Sequence, residues 1–569
     1  MKDRIKAGGR YAAAGMILIL LVLNLLFWGT KKTGFYCDEL YSYHFVCQTD
    51  YPSINSDRGT ESYLNQWHDS DYYMNYFTID ENEAFDLAGT YESIRQDVHP
   101  PLYYLLLEMV CSVAGMLIPA TFTKWCGIGL NIIFYILTLA VLYLLSEKML
   151  KSRYWAAAVC ILYGACAGAV STVMFIRMYM VFAFASILFS WLNYMIWERC
   201  WKNGQRMGAP LLAGLFCSTV FGVLNHYYFL IFAFFVCLFI WGYAMIQRKF
   251  GFAAKYAAVM ACGIGTSFLL WPQMYDNIFS GYRGKEAFSS LSASTDYAGA
   301  LQEYLNIFLG ELLGGIGIVF LVFVILSVLR RIVGMFWNIK KEKTDKKICL
   351  YLKREAFPTE ISFSLDVEGM YMLQIAGAVA LYVFLIAKIA PYREDRYIFN
   401  VYPAAVLVFV FMAKAAAENL GNTLFWKKAV LILMGVLCLS GYIFPGVNYL
   451  YRGTGEKLEI VGNLSSYPVF YVSENRRYRV AGDSAFLARA EYVYPINPKE
   501  ISNIQEAIEQ LKKEKNIVLD LEKYVVYMDV EIENFNDILD EIKAELGTEY
   551  VTKLFDTEYS SVYLMEWEE

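Results

Sequence analysis

Apolar runs long enough to cross the roughly 30 Å hydrocarbon core of a bilayer recur through the first four-fifths of this chain and stop near Pro445. With 57% hydrophobic and 18% charged residues over 569 positions, the chain is too apolar to be built of soluble domains alone. The pattern therefore predicts a multi-span membrane protein. From Gly446 onward the composition is that of a soluble domain. Residues 447–569 hold 13 Lys and Arg against 24 Asp and Glu, a net −11, so the rest of the chain carries +5. This acidic surface argues against a nucleic-acid partner. Twelve Cys are scattered singly with no CxxC, most of them in apolar runs where they read as small buried hydrophobes. Only Cys37 and Cys47 share the long loop after the first run, which leaves one disulfide between them open.

Charge asymmetry sets the expected topology. The basic N-terminus (Lys2, Arg4, Lys6, Arg10) precedes a run at about 11–29 that lacks a small-residue cleavage site and reads as a retained anchor with its N-terminus inside. The loop at 30–121 is then outside. The next apolar run, Leu102 to Ile118, decides every later segment. If it crosses, Lys148, Lys151, Arg153, Arg330, Arg331 and the cluster Lys340, Lys341, Lys343, Lys346 and Lys347 all fall outside, against the positive-inside rule. If it does not cross, these groups are cytoplasmic, together with Arg199, Lys202, Arg206, Arg248, Lys249, Lys427 and Lys428. Pro101 and Pro119 bound the run, Glu108 interrupts it, and as a helix it reaches only roughly 26 Å. It reads as an interfacial or re-entrant helix on the outer side. Ten further spans are expected at about 122–146, 155–175, 178–197, 209–225, 227–246, 253–271, 305–329, 369–388, 398–415 and 428–446. About eleven spans place the tail outside. The tail alternates β-like runs (Val469 to Val472, Ile517 to Leu521, Val525 to Val530, Ser561 to Met565) with amphipathic helices (Ile501 to Lys513, Phe535 to Leu546), which predicts a small α/β domain. The expected organisation is thus a transmembrane domain over 1–446 and an extracytoplasmic α/β domain over 447–569.

Under that topology the chemistry-bearing residues collect on one face. Asp38 and Glu39 follow the first span, and a carboxylate at a partly dehydrated interface has the raised pKa and fixed position a general base needs. An isolated Asp-Glu pair is equally the signature of two solvated loop acids. His99, rigidified by Pro100 and Pro101, reads as substrate-positioning or as a hydrogen-bonded loop His. Arg177, Arg393 and Arg396 lie between outer span ends, where a guanidinium either grips phosphate oxygens or snorkels and pairs with Glu394 and Asp395. Tyr179, His226 and Tyr397 fall in the same outer interruptions. Tyr41, Tyr43, Tyr63, Trp67, Tyr72, Tyr73 and Tyr76 suit stacking on sugar rings and equally an interfacial aromatic belt. No His or carboxylate spacing makes a metal site, and no Gly-rich loop cradles a nucleotide. Few ionisable residues lie inside the spans, which counts against a transporter of lipid-linked sugar or polysaccharide, the alternative reading.

Four motifs in order carry a family resemblance: the acid pair Asp38–Glu39 after the first span, HPPLYY at His99 to Tyr104, FIRMYMVFA around Arg177 to Tyr179, and DRYIFNVYPA at Asp395 to Ala404. Over roughly residues 10–415 the chain resembles GT-C membrane glycosyltransferases of the family-39-like group, related to protein O-mannosyltransferases and lipid A aminoarabinose transferases. The resemblance implies a polytopic α-helical enzyme in the cell membrane. Such an enzyme moves a hexosyl or pentosyl group, with inversion, from a polyprenyl-phosphate carrier to a glycan, lipid or protein acceptor on the outer face. It implies that Asp38 deprotonates or orients the acceptor with Glu39 in support, that Arg177 and Arg396 hold the donor phosphate, and that His99 positions a substrate. It implies no certain cofactor, a divalent metal being unsupported by ligand spacing. The tail lacks a β-trefoil-like repeat, which counts against a protein acceptor.

Overall fold

The computed structural model describes residues 2–47, 63–79, 83–95, 97–117, 124–292, 296–315, 317–344, 347–354, 367–420, 424–474, 477–515 and 523–567. In chain order its main helices are α1 (Lys2–Lys31), α2 (Cys37–Cys47), α3 (Leu102–Leu117), α4 (Trp125–Leu150), α5 (Arg153–Ala165), α6 (Ala167–Met174), α7 (Tyr179–Trp197), α8 (Ala209–Asn225), α9 (Phe229–Ile246), α10 (Phe250–Leu270), α11 (Tyr282–Ser292), α12 (Tyr297–Leu313), α13 (Gly317–Phe336), α14 (Val367–Ile389), α15 (Tyr402–Asn419) and α16 (Leu424–Ile443). A hairpin of β1 (Trp337–Thr344) and β2 (Lys347–Arg354) follows α13. The tail adds β3 (Val469–Val472), α17 (Arg477–Leu487), β4 (Val493–Ile496), α18 (Ile504–Lys515), β5 (Lys523–Asp529), α19 (Phe535–Leu546), β6 (Tyr550–Asp556) and β7 (Ser560–Glu566).

Among the described residues, eight helices are long and apolar enough to cross a membrane, and two bent pairs raise the number to ten. The chain is a multi-pass membrane protein with a C-terminal α/β domain. Two of the expected spans are broken rather than straight. The run at 155–175 bends by 53° at Cys166, between α5 and α6, and the run at 305–329 bends by 86° between α12 and α13. At the second break Gly314 ends α12 with φ +66°, a left-handed conformation that costs a residue with a Cβ far more than glycine. The run at 209–225 forms α8, at 17 residues shorter than any of the eight crossing helices. Helix α3, 16 residues long, spans roughly 24 Å. It buries Tyr103, Tyr104, Leu107, Glu108 and Cys111 while Met109 and Val113 stay exposed, which is the one-sided burial of a helix lying on a core rather than threading a bundle.

The chain forms two compact units: Met1–Leu26, Asn131–Val173 and Met178–Asn448 in one, and Phe27–Leu130, Met174–Arg177 and Tyr449–Glu569 in the other. The first is the helical membrane unit. In the second, the long loop and the tail share a core.

The tail sheet has strand order β4-β3-β5-β7-β6, with β3 parallel to both β4 and β5 and the remaining pairs antiparallel. Strands β3 and β4 are buried at every position, as expected of parallel strands covered on both faces. The long loop extends this sheet at β4: the His68 and Val493 main chains exchange hydrogen bonds of 2.9 Å each way, and Asn65 N–H donates to the Pro495 carbonyl at 2.8 Å. Trp67 seats its ring against Phe470 and Tyr494 and donates its indole N–H to the Ala507 carbonyl at 2.8 Å. In open α/β sheets ligands bind beyond the carboxyl ends of the strands, but here that end is filled by Arg479, buried and paired with Asp529. The expected strand at Ile517 to Leu521 lies outside the described residues.

Asp483 on α17 is buried and accepts from the Ser560 hydroxyl at 2.6 Å and the Tyr471 hydroxyl at 3.1 Å. Burial pushes its carboxyl up to about 6, against those hydrogen bonds. The protonated form is therefore favoured by folding, a contribution fully present below the unfolded value near ~4 and lost as pH rises through 6. Above that, the ionised group costs up to roughly 3 kcal/mol. Asp483→Asn, which keeps an acceptor oxygen, raises the apparent unfolding temperature at pH 8 and leaves it unchanged at pH 4 in thermal denaturation of the purified protein.

Candidate active site

Helix α2 opens with the acid pair, and the two carboxylates have different fates. Glu39 is fully buried at the third helical position and reaches back to the Tyr36 N–H at 2.7 Å, the reciprocal half of a capping box. It also accepts from the Ile176 N–H at 2.7 Å and from Lys32 Nζ at 2.9 and 3.0 Å. Lys32, likewise fully buried, donates to the Tyr449 carbonyl at 2.6 Å and lies over the rings of Phe35 and Tyr451. Burial pushes Glu39 up and Lys32 down, each toward its neutral form, while their mutual attraction and the two backbone donors act to keep the pair ionised. Glu39 thus ties together the first turn of α2, the segment after the first span and the stretch Met174–Arg177. Asp38 is only half-buried, and acids in the first turn are favoured by the helix dipole.

The main chain of Asp38 is held from two sides. Arg177, 3% exposed, donates through Nη1 to the Asp38 carbonyl at 3.0 Å and to Ser42 Oγ at 2.8 Å, and Ser42 donates to the same carbonyl at 3.0 Å. Its Nη2 lies 3.4 Å from His99 Nε2, and its guanidinium carbon sits 5.9 Å from the centre of the Tyr104 ring. His99 Nδ1 is 2.7 Å from Asp97 Oδ2, which also lies 3.5 Å from the Tyr104 hydroxyl. If Nε2 accepts from Arg177, the proton is on Nδ1 and is donated to Asp97. Burial opposes ionisation of Asp97, yet His99, Arg177 and the Val98 N–H outweigh it and hold its carboxyl below the usual range. The result is a chain Asp97–His99–Arg177–α2 that fixes where Asp38 stands. Asp38, Glu39, His99 and Arg177 are therefore brought together in one unit, with Lys32, Ser42, Asp97 and Tyr104 added.

The other expected residues lie in the membrane unit. Asp395–Tyr397 forms a 3-10 turn whose backbone is pinned by the Tyr382 hydroxyl on the Tyr397 carbonyl at 2.9 Å and by the Tyr304 hydroxyl on the Tyr392 carbonyl at 2.8 Å. Arg396, 4% exposed, pairs with Glu394 at 2.6 Å and lies against Tyr397 and Tyr392, its guanidinium carbon 5.3 and 5.9 Å from the ring centres. Arg283 of α11 lies against the same Tyr392 ring at 5.3 Å and pairs with Glu286 at 2.9 Å. Tyr228 stands 5.8 Å from Tyr397, centre to centre. Burial pushes the Tyr397 hydroxyl up, with Tyr179 adding to it, so it stays a neutral donor. Two guanidinium groups and three tyrosines thus share one neighbourhood.

Behind the turn, Asn448 Nδ2 bridges Glu311 Oε1 at 3.0 Å and Asp395 Oδ2 at 2.8 Å, and the Tyr402 hydroxyl donates to Glu311 Oε2 at 2.6 Å. His226 is 7% exposed, stacked on Phe182 at 4.8 Å and beside Tyr179 at 5.5 Å, and its Nδ1 accepts the Tyr228 N–H at 3.1 Å. It acts as a packed loop anchor. Arg393 is not joined to Arg396. It is 44% exposed and pairs with Glu303 at 3.2 Å and Asp296 at 3.7 Å, rather than with Glu394 or Asp395.

Sequence reading missed Lys32, Ser42, Asp97, Arg283, Glu311 and Asn448. Asp97 stood two residues from His99, and the spacing Asp-x-His was the available signal. Arg283 sits in a polar stretch between two spans and carries no motif of its own. Cys37 and Cys47 occupy opposite ends of the 11-residue helix α2, roughly 15 Å apart, so they do not form the disulfide left open above. Among the described residues, no group of three or more His, Cys, Asp or Glu is arranged to hold a metal ion.

No protein-family model matches this chain, and no curated protein matches it. Among solved structures it is similar to the crystal structure of ArnT from Cupriavidus metallidurans in the apo state, at a TM-score of 0.49 and 10% sequence identity, over 97% of this chain and 98% of that one.

Proposed function

We propose that the chain is a membrane glycosyltransferase that moves a sugar from a polyprenyl-phosphate carrier to an acceptor hydroxyl or phosphate on the outer side of the membrane, with inversion at the anomeric carbon. The observation that carries this reading is the contrast within the acid pair: Glu39 is locked in a buried ion pair while Asp38 is half-buried on a helix turn fixed through its carbonyl. A half-buried carboxylate on a helix turn whose backbone is immobilised has the fixed position a general base needs. Asp38 takes the acceptor proton, the acceptor oxygen bonds to the anomeric carbon, and the bond from that carbon to the phosphate oxygen breaks. The lipid phosphate leaves as an anion. Arg177 is the positioning residue of this step rather than a phosphate ligand, since both its terminal nitrogens serve α2 and His99.

Within the membrane unit, Arg283 and Arg396, with Tyr397 as a neutral donor, form the group suited to bind the phosphate of the lipid carrier, because guanidinium forks match phosphate oxygens in geometry and charge. Charge-assisted hydrogen bonds of this kind are worth about 1.5–3 kcal/mol, or about 10- to 100-fold in affinity. Arg283→Gln and Arg396→Gln each raise the KM for the lipid-phosphate donor by that factor and leave the KM for acceptor unchanged in steady-state assays. Unchanged donor KM in both variants would remove the phosphate role. The buried Glu311, beside Asp395 and next to the bend after α12, favours a transporter instead, since buried acids at broken helices mark ion pathways. Uptake of lipid-linked sugar into liposomes without bond cleavage is the result that would favour it.

A further inference from the structure

Three cysteines far apart in sequence meet where α2, α3 and the start of α4 come together. Cys47 is the last residue of α2, Cys111 lies in α3, and Cys126 is the second residue of α4. The Cys111 thiol stands within hydrogen-bonding reach of both Cys47 and Cys126. Cys47 and Cys111 are buried at 1% and 7%, whereas Cys126 is half-exposed. An independent contact fixes the same junction: the Tyr43 hydroxyl, one helical turn before Cys47, accepts the Gly127 N–H at 3.1 Å, next to Cys126. Helix α3 turns Tyr103, Tyr104, Leu107 and Cys111 inward, and Arg177 lies over Tyr104 on that helix. The thiol cluster therefore sits where α2, the helix that carries Asp38, meets α3 and the start of α4, and the proposed transfer does not use it.

We propose that Cys111 and Cys126 form a disulfide that staples α3 to α4, with Cys47 remaining a thiol. Cys126 is the group an oxidant reaches first. Its thiolate attacks one sulfur of an exogenous disulfide, from a protein or a small molecule, and one thiol of the oxidant leaves. The Cys111 thiolate then attacks the Cys126 sulfur, and the second thiol of the oxidant leaves. Two cysteine S–H bonds have given up two protons and two electrons, and the oxidant's S–S bond has gained them. Cys37 takes no part, since its thiol lies at the other end of α2 beside Glu558, at 3.2 Å. The inference rests on the outer placement of this unit in the functional reading above, because such oxidants are supplied on that side of a membrane.

The test is a thiol census on the full-length protein. Cells are quenched with N-ethylmaleimide, the protein is denatured and purified, and the thiols released by reduction are labelled with an isotopically distinct maleimide and located by mass spectrometry. Of the twelve Cys, two, Cys111 and Cys126, are masked until reduction, and a linked peptide joins them in the unreduced digest. Cys47→Ser leaves that pair intact. Twelve alkylated thiols without reduction, or a link from Cys111 to Cys47, would overturn the proposal. The readout is thiol state and not turnover: a fully reduced protein whose Asp38→Asn variant still loses transfer leaves the enzyme reading standing, and a disulfide in a protein that cleaves no lipid-phosphate sugar does the reverse.

Discussion

Asp38→Asn lowers the rate of sugar transfer by about 10²- to 10⁴-fold, the range that loss of a positioned general base produces, equivalent to roughly 3–5 kcal/mol of barrier. The amide keeps the size and the helical position of the side chain and loses only its capacity to take a proton. Arg177 and Ser42 hold this turn through the Asp38 carbonyl, contacts the substitution keeps, so the apparent unfolding temperature stays within a few degrees of the parent. Asp38→Glu retains a carboxylate displaced by one methylene and falls between the two, since misplacement of a reacting group by about 1 Å is costly in itself. Initial rates with a polyprenyl-phosphate sugar, paired with thermal unfolding on the same preparations, read both quantities. A variant that transfers at the parent rate would remove Asp38 from the chemistry.

Lys32→Met has the largest effect on stability. Breaking a buried ion pair by removing one partner leaves an uncompensated charge and costs about 3–5 kcal/mol. Here Lys32 and Glu39 are both fully buried, and Lys32 also satisfies the Tyr449 carbonyl. Glu39→Gln keeps one acceptor oxygen, so one of the Tyr36 and Ile176 N–H groups, which donate to different carboxylate oxygens, loses its acceptor, and the Lys32 ammonium loses its counter-charge. Combining Lys32→Met with Glu39→Gln recovers part of the loss, because no lone charge then remains in the interior. The measurement is the midpoint of thermal unfolding of the four proteins in one detergent. Additive destabilisation in the double variant would mean that the two side chains act separately. The same experiment separates the two acids by role: Glu39→Gln loses fold stability first, and Asp38→Asn loses rate alone.

The division of the chain into apolar runs and an acidic α/β tail was legible because burial in a bilayer demands long apolar helices and a soluble domain does not. Helix α19 and strand β3 have the bounds their periodicity implied, and the short span of α3 followed from its length and flanking prolines. Strand β4 escaped because VYPI contains a proline and gives no alternation, although a parallel strand buried on both faces needs none. Helix α17 escaped because its charged residues Arg479 and Asp483 break the apolar pattern and are buried by partners distant in sequence. The bends at Cys166 and Gly314 were invisible for a related reason: hydropathy averages over a window, and a single left-handed glycine leaves it unchanged.

At the site, residue type was legible and role was not. Asp38 and Glu39 are adjacent and chemically alike, and partners distant in sequence, the main-chain N–H of Ile176 on Glu39 and Arg177 on the Asp38 carbonyl, help to tell them apart. Arg177 looked like a phosphate ligand because an isolated guanidinium does. Its partners Ser42, the Asp38 carbonyl and His99 come from segments up to 139 residues away. Arg393 and Arg396, three residues apart, likewise part company: one faces Glu303 and Asp296 at half exposure, while the other is buried against Tyr392 and Tyr397.

The sugar is expected to arrive on a lipid phosphate. Purified protein in detergent or liposomes is incubated with a panel of polyprenyl-phosphate hexoses and pentoses and, in parallel, with the matching nucleotide sugars, and release of polyprenyl phosphate or nucleotide is followed by mass spectrometry. The expected result is release of polyprenyl phosphate from at least one lipid donor, lost in Asp38→Asn, with no turnover of any nucleotide sugar. Intact lipid donors throughout the panel, or turnover of a nucleotide sugar in their place, would contradict it.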